Sequence, residues 1–348
     1  MTEGSTRAIE APMQGTVVSI SVADGDVVQM GTPLLVIEAM KMEHVITADV
    51  GGTVRAISAV IGVTVYPGDA LLLVEEGGAA SHESAAAAAV DLDTIRPDLA
   101  EVLRRQSLTK DDARPAAVER RRKVGLRTAR ENVADLCDPD SFEEYGSLVI
   151  AAQRSRRSVQ ELIEQTPADG LVGGIGRVNG GRCAIVSYDY TVLAGTQGHR
   201  NHAKKDRLFE LVERLRLPVV LFAEGGGGRP GDTDHAGVSG LECMAFALFA
   251  RLSGLVPLIG VVSGRCFAGN AALLGCCDVI IATENSNIGM GGPAMIEGGG
   301  LGVYAPEDVG PMSVQAPNGV VDVTVADDVD AVRVAKQYLS YFQGPTPE

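Results

Sequence analysis

The chain has 348 residues, 45% of them hydrophobic and 22% charged, with a formal net charge of −15. That length allows two or three domains and a sizeable core, and the composition is that of a globular chain, not a disordered one. The acidic balance argues against nonspecific nucleic-acid binding, which needs a basic surface to meet phosphates.

Tryptophan is absent and aromatic residues make up 4%, so the core must be built from Val, Leu, Ile and Ala. Six cysteines are scattered without a C-x-x-C pair, which indicates neither a zinc site nor a disulfide framework, and no metal is expected. The opening MTEGSTRAIEAP lacks the apolar stretch of a signal peptide, and no apolar run reaches membrane-spanning length. A reducing, cytoplasmic location with no membrane contact is the expectation.

Residues 8–76 contain an internal repeat. Gly15-Thr16-Val17 returns as Gly52-Thr53-Val54, Gly25 as Gly62, Gly31 as Gly68, Leu34-Leu35 as Leu71-Leu72 and Glu38 as Glu75, every pair 37 positions apart. Each half holds short β-rich runs separated by glycine turns, 16–20 and 34–37 in the first, 53–57 and 71–74 in the second. One half alone cannot bury its apolar face, so the two are expected to form a flattened antiparallel sandwich. At their junction lies Glu38-Ala39-Met40-Lys41-Met42. A lysine between two methionines is a poor core element, and at a hairpin tip it is open to covalent modification. Met40 and Met42 are adaptable apolar contacts, and nearby His44 reads as a surface residue.

The E-A-M-K-M stretch resembles the biotin-attachment signature of biotin carboxyl carrier domains; lipoyl domains share the fold but usually set the lysine in a D-K-A context. Pro12-Met13-Gln14-Gly15 resembles the same family's opening motif, and the resemblance covers all of 8–76. It implies an all-β biotinyl/lipoyl-type flattened sandwich, covalent biotin on Lys41, and a biotin protein ligase that recognises the lysine with help from Met40 and Met42.

Residues 77–97 form a small-residue Gly/Ala/Ser stretch that reads as a flexible linker. As a coil, residues 77–90 would span roughly 20 Å, and fully extended about 50 Å; a short alanine helix would stiffen the tether. Beyond it, residues 98–348 form the second domain. The run 104–130 is strongly basic around Arg120-Arg121-Arg122-Lys123, but apolar residues interleave at helical spacing (Leu99, Val102, Leu103; Val124, Leu126), which favours a solvated or partner-facing helix over a nucleic-acid site.

Strands and helices then alternate. Segments 174–178 and 182–188 flank Asn179-Gly180-Gly181 as a hairpin; 199–216 places Leu208, Leu211, Val212 and Leu215 on one helical face. Residues 218–222, 258–262, 278–282 and 320–325 read as strands, and 238–254 and 327–342 as helices. Continuous apolar strands alternating with helices predict a parallel sheet covered by helices. Three glycine-rich turns fall at strand ends. Glu224-Gly225-Gly226-Gly227-Gly228-Arg229 is followed by no G-K-[ST], so it is not a nucleotide P-loop. Ser263 to Ala271 precedes an apolar helix whose first N–H groups could hold an enolate oxygen formed from a thioester. The third, 289–302, is expected to fold over the same cleft; glycines that merely permit turns are the simpler alternative for any one of them.

The order G-T-Q-G-H-R-N-H, E-G-G-G-G-R-P-G, S-G-R-C-F-A-G-N-A, G-G-P-A-M-I-E-G-G-G-L-G resembles the amino-terminal half of an acyl-CoA carboxyltransferase, over roughly 120–345; L-C-D-P-D-S-F-E-E-Y-G resembles that family's opening segment. The resemblance implies an α/β crotonase-like fold of ββα units that binds acyl-CoA. It assigns Ala268, Gly269 and Asn270 to the oxyanion hole, where many members have two glycines and Ala268 departs from them. It sets Gly227, Gly228 and Arg229 on the active-site loop, and Gly291 and Gly292 over the cleft. His199, Arg200, Lys204 and Lys205 are basic enough to meet CoA phosphates or adenine, or else start a solvated helix. No Ser-His-Asp or Cys-His nucleophile is evident, and the family chemistry needs none.

Within that family the site is completed by a second transferase half and supplied by a biotin carboxylase, so a hetero-oligomeric acyl-CoA carboxylase with those two partner subunits is implied. The expected reaction passes a carboxyl group from carboxybiotin on Lys41 to the α-carbon of an acyl-CoA. A decarboxylase component running the same step in reverse, and a biotinylated assembly subunit without catalysis, are the alternatives. The acyl group is not readable.

Overall fold

The computed structural model describes residues 5–77, 93–234 and 243–344. The chain divides into two units, Met1–Asp93 and Thr94–Glu348; most of the 77–97 linker, and with it any reading of its stiffness, lies outside the described residues.

The first unit has eight strands: β1 (Thr6–Glu10), β2 (Gly15–Ile20), β3 (Val27–Val28), β4 (Pro33–Ala39), β5 (Met42–Thr47), β6 (Gly52–Ile57), β7 (Thr64–Val65) and β8 (Ala70–Glu76). They form two antiparallel four-stranded sheets, β5-β4-β2-β7 and β1-β8-β6-β3. The 37-residue shift carries β2 onto β6, β3 onto β7 and β4 onto β8, so each sheet repeats the other's order. The core repeats with them: Val17 and Val54, Leu34 and Leu71, Leu35 and Leu72, Ile37 and Val74 are all fully buried. Half the apolar residues come from each repeat, which is why neither half would hold alone. Gly25 and Gly62 turn at φ 93° and 85°, a conformation that costs glycine nothing.

The second unit contains α1 (Pro97–Leu108), α2 (Pro115–Lys123), α3 (Ala129–Leu136), β9 (Glu143–Glu144), α4 (Val159–Gln165), β10 (Leu171–Val178), β11 (Gly181–Tyr188), α5 (His199–Leu215), β12 (Val219–Phe222), α6 (Ala245–Ala250), β13 (Leu258–Val262), β14 (Arg265–Phe267), α7 (Gly269–Leu274), β15 (Val279–Thr283), β16 (Asn287–Gly289), α8 (Pro293–Gly298), α9 (Met312–Gln315), β17 (Val323–Val325) and α10 (Asp328–Ser340). Its main sheet has the order β17-β15-β13-β12-β11-β10-β9. From β11 to β17 the strands are parallel; β10 and β9 extend the edge antiparallel, so the sheet is mixed where the sequence predicts parallel pairing. The cause is the Asn179-Gly180 turn, both residues at positive φ, which joins β10 and β11 as a two-residue hairpin. One face packs on α5, α6 and α7, the other on α3 and α10. A capping box starts α3: Thr128 Oγ1 accepts from the Glu131 N–H at 3.1 Å and Glu131 accepts from the Thr128 N–H at 2.8 Å. Residues 235–242, the start of the predicted 238–254 helix, lie outside the described residues.

The basic run becomes three helices, not one, and its arginines are spent on internal pairs: Arg114 with Asp189 at 2.9 Å, Arg121 with Glu224 at 2.7 Å and Arg130 with Glu144 at 2.8 Å. Two of these pairs have both side chains nearly buried, while Arg120, Arg122 and Lys123 stay exposed.

Candidate active site

Lys41 occupies the second position of a two-residue turn. Ala39 pairs with Met42 across the β4–β5 hairpin, and Met40 and Lys41 between them have φ of 52° and 65°. Two left-handed residues make the mirror-image turn that suits the twist of a hairpin. Lys41 is exposed, Met40 is 97% and Met42 61% exposed, so the turn presents an amine flanked by two thioethers. Nothing in the unit's core depends on these three side chains. His44, expected at the surface, is half-buried beside Ile37.

In the second unit, the loops following β12 and β14 and the loop preceding α5 are laced together. Gly225 N–H donates to Arg265 O at 2.7 Å and Phe267 N–H to Gly225 O at 2.9 Å; Gly226 N–H donates to Ala194 O at 3.1 Å and Gln197 N–H to Gly227 O at 2.7 Å. A Cβ on Gly225 would stand 2.2 Å from Gly195 O, so the close approach of these two backbones requires glycine there. Asn270 locks the junction. Its Oδ1 accepts from Gly227 N–H at 3.1 Å and from Gln197 Nε2 at 3.2 Å, while its Nδ2 donates to Glu224 O at 3.2 Å and Gly195 O at 3.3 Å. The side chain is fully buried. Asn270 therefore contributes its backbone amide, not its side chain, to anything bound above.

Ala268 precedes α7 at φ 51°, ψ −120°, a conformation rare for a residue with a side chain. Its N–H already donates to Gly289 O at 2.9 Å. Of the three amides assigned to an oxyanion hole, Ala268's is thus engaged, whereas those of Gly269 and Asn270 open the first turn of α7 and find no acceptor among the described residues. The Ala268 methyl is accommodated by Gly227, where a Cβ would lie 2.6 Å from it. Replacing Ala268 with Gly should leave the fold intact and stabilise it by up to about 1 kcal/mol, the relieved strain being partly offset by unfolded-chain entropy. Gly227→Ala should cost about 2 kcal/mol or more, since φ 87° and the methyl contact both oppose it. Urea unfolding of both variants checks the pair; equal and small effects would contradict the contact. Gly228 has open space around it. Gly291 and Gly292 follow β16, with Gly292 seated over the Phe267 ring.

The basic residues of α5 are placed differently from the expectation of phosphate contact. Lys204 is 4% exposed, its Nζ donating to the carbonyls of Ala168 and Leu171; Lys205 is fully buried and donates to Tyr188 Oη and Gln197 Oε1, each at 2.8 Å. The N-terminus of α5 is occupied by the chain's own carboxylates: His199 N–H donates to Asp232 at 2.7 Å and Asn201 N–H to Asp169 at 2.7 Å. Arg229, 5% exposed, bridges these two aspartates and also bonds Thr196. It is a buried clamp of the loop. His199 is exposed and Arg200 half-buried. The predicted apolar face of α5 holds at Leu208 and Val212, but Leu215 is 39% exposed.

His202, 6% exposed on the same helix, has an Nδ1 without a hydrogen-bond partner among the described residues and lies 6.2 Å from the Phe246 ring centre. Burial, aided by Lys205, holds its imidazole down to about 3. The unfolded chain takes up that proton below pH 6.5 and the folded chain does not until about pH 3. The unfolded state therefore binds more protons across this window, and stability falls as pH drops through it, by at most about 4–5 kcal/mol. Urea unfolding from about pH 7 to pH 4 should show this acid limb, flattened in His202→Asn; an unchanged slope in the variant would contradict it.

No site role is read from the sequence for four residues, Asp169, Gln197, Glu224 and Arg121, although the last three stand inside its motifs or its basic run. Arg121 and Glu224 form a two-pronged buried pair, 2.7 and 2.8 Å, and burial pushes the Glu224 carboxyl up to about 7 against the pull of Arg121. Beside them opens a cavity of about 430 Å3 lined by Arg120, Tyr190, Thr191, Gly264 and Arg265. Among the described residues no group of acidic, cysteine or histidine side chains could hold a metal ion, and no helix is long and apolar enough to cross a membrane.

Comparison with known proteins matches residues 120–348 to the carboxyl transferase domain family and residues 7–74 to the biotin-requiring enzyme domain family. The chain is 31% identical over 229 residues to the methylmalonyl-CoA carboxyltransferase 12S subunit of Propionibacterium freudenreichii, covering 64% of this chain and 42% of that protein. It is 30% identical over 254 residues to the biotin-dependent long chain acyl-coenzyme A carboxylase beta4 subunit of Mycobacterium tuberculosis, covering 72% and 46%. A solved structure of a single-chain, multi-domain long-chain acyl-CoA carboxylase superposes with a TM-score of 0.70 at 53% identity, covering 99% of this chain and 33% of that one. The chain thus spans half or less of the length of these relatives.

Proposed function

Because the chain belongs to the carboxyl transferase family and carries a biotin-requiring domain ahead of that unit, we propose that it holds biotin on Lys41 and binds, in its second unit, the acyl-CoA that receives a carboxyl group. The observation that carries this reading is Lys41 itself, an exposed amine at the apex of a rigid two-residue turn, where a bulky group can be attached without disturbing the core. That geometry fits biotin, which when bound supplies the carboxyl group to be transferred.

The chain's own residues have separate tasks. The N–H groups of Gly269 and Asn270 donate to the thioester oxygen as negative charge grows on it during loss of the α-proton. Gly227 and Gly228 keep the facing loop free of side chains, and Arg229 holds that loop from beneath through Asp169 and Asp232. Gly291 and Gly292, above Phe267, cover the acyl thioester. Lys204 and Lys205 are turned inward, which leaves Arg200, and Arg120 in the lining of the 430 Å3 cavity, as the cations proposed to meet CoA phosphates.

A biotin carboxylase, a second transferase half and a biotin protein ligase are the proposed partners, in a hetero-oligomer or joined on a longer chain. Six free cysteines support a reducing, cytoplasmic setting. Avidin capture of the native protein, with identification of everything retained, tests the reading. We expect biotin carboxylase and second-half transferase sequences to be retained with it. Failure to bind avidin would overturn the carrier role of Lys41.

A further inference from the structure

We infer that Lys205 is a positioning residue: through Gln197 and Asn270 it forms a buried strut of fixed donor–acceptor polarity that holds the Gly227 loop and the Gly269 amide in register. An ammonium group can only donate. Facing Lys205 Nζ, Gln197 must therefore present Oε1, and its Nε2 must point the other way, where it donates to Asn270 Oδ1 at 3.2 Å. From the opposite side, the carbonyls of Glu224 and Gly195 and the N–H of Gly227 demand the same orientation of Asn270. The two ends agree at the Gln197–Asn270 bond. Gln197 also runs directly beneath the turn: a Cβ on Gly269 would lie 3.1 Å from Gln197 Nε2. Its backbone pairs with the same loop, donating to Gly227 O and accepting from Arg229 N–H at 3.0 Å.

A lysine that serves packing alone would be a poor choice here. Lys205 is fully buried, and among the described residues no carboxylate lies within ion-pair distance of it; its partners are one phenol and one amide. Its Nζ lies 5.2 Å from the centre of the Tyr188 ring. Burial pulls its ammonium down to about 7, and where the amine is neutral the Asn270 end still imposes the same orientation on Gln197. Carrying such a charge in a core is costly unless its hydrogen bonds are used.

The polarity can be reversed at one atom. In Gln197→Glu, Lys205 keeps the new carboxylate ionised, and an acceptor oxygen then faces Asn270 Oδ1. In the double variant Lys205→Met with Gln197→Glu, the buried acid has lost its cation and is protonated; its O–H donates to Asn270 Oδ1, and the donor–acceptor order of the strut at that bond is restored. The test is amide hydrogen exchange at Gly227 in the full chain, alongside thermal melting. Gln197→Glu should exchange about tenfold faster than wild type at Gly227, and the double variant should return to within about threefold of it. In the native assembly kcat should follow the same order, with KM for acyl-CoA changed less than about threefold. If Gln197→Glu does not fold, recovery of folding in the double variant carries the same information. Wild-type exchange in Gln197→Glu, or a double variant that recovers neither exchange nor folding, would overturn the strut. The kinetic consequence rests on the carboxyl-transfer reading and the exchange result does not, so a wild-type protein without transferase activity would refute that reading alone.

Discussion

Replacing Lys41 with arginine is expected to abolish biotin incorporation and, with it, overall carboxylation of acyl-CoA. The change keeps the charge and the exposed turn, so stability should shift by less than about 0.5 kcal/mol. Transfer from free biotin carrying the carboxyl group should persist, because the free donor needs no attachment to Lys41. An avidin blot and a turnover assay on the same preparation give both halves of the prediction. A Lys41→Arg chain that still binds avidin would place the attachment elsewhere.

Arg229→Met is expected to cost about 3–5 kcal/mol, among the largest effects of any single substitution in the second unit. Asp169 is completely buried, accepts from the Asn201 N–H and has Arg229 as its ion-pair partner. Removing the guanidinium leaves that carboxylate, and the half-shared Asp232, in a core with no cation between them. Asp169→Asn added to Arg229→Met should recover part of the loss, since a neutral amide no longer needs a counter-charge. The Gly227 loop hangs on the same clamp, so kcat should fall with stability. Urea unfolding at neutral pH reads the first effect; a loss below about 1 kcal/mol would show that the pair is not the loop's anchor.

Much of this architecture was legible in the sequence because its determinants are local. A 37-residue period survives as a pair of superposable sheets, since each repeat must supply the same four core positions to the other. The Met40-Lys41 turn follows from its place between two strands. The hairpin at Asn179-Gly180 was equally plain, although its antiparallel edge was not carried into the sheet prediction. The basic residues of α5 show where local reading stops. Lys204 stands four residues before Leu208 and so shares its face; helical spacing alone marks it as inward-pointing, but its charge suggested solvent. The groups that satisfy it, the carbonyls of Ala168 and Leu171, come from a segment more than thirty positions away. Arg229 is another case: the resemblance sets it on the active-site loop, and its ion pair with Asp169, sixty positions earlier, is visible only in the structure. Ala268 departs from the glycine pair of many family members, and only the structure shows that Gly227 yields the space its methyl needs.

These buried pairs and struts share one effect. The side chains of Asp169, Arg229, Lys205, Gln197 and Asn270 fix the backbone of the glycine loops, which on the proposed reading leaves peptide N–H groups as the donors for a thioester. A site built this way stabilises charge by position, and small displacements of its supports should weaken it disproportionately.

The most direct test of the central claim is to follow a carboxyl group backwards. The biotinylated protein in its native assembly is mixed with a carboxyl-radiolabelled carboxyacyl-CoA, quenched in base, and the peptide containing Lys41 isolated. The account predicts label on that peptide, lost when Lys41 is arginine. A folded, biotinylated protein that binds the CoA ester but leaves the Lys41 peptide unlabelled would contradict it.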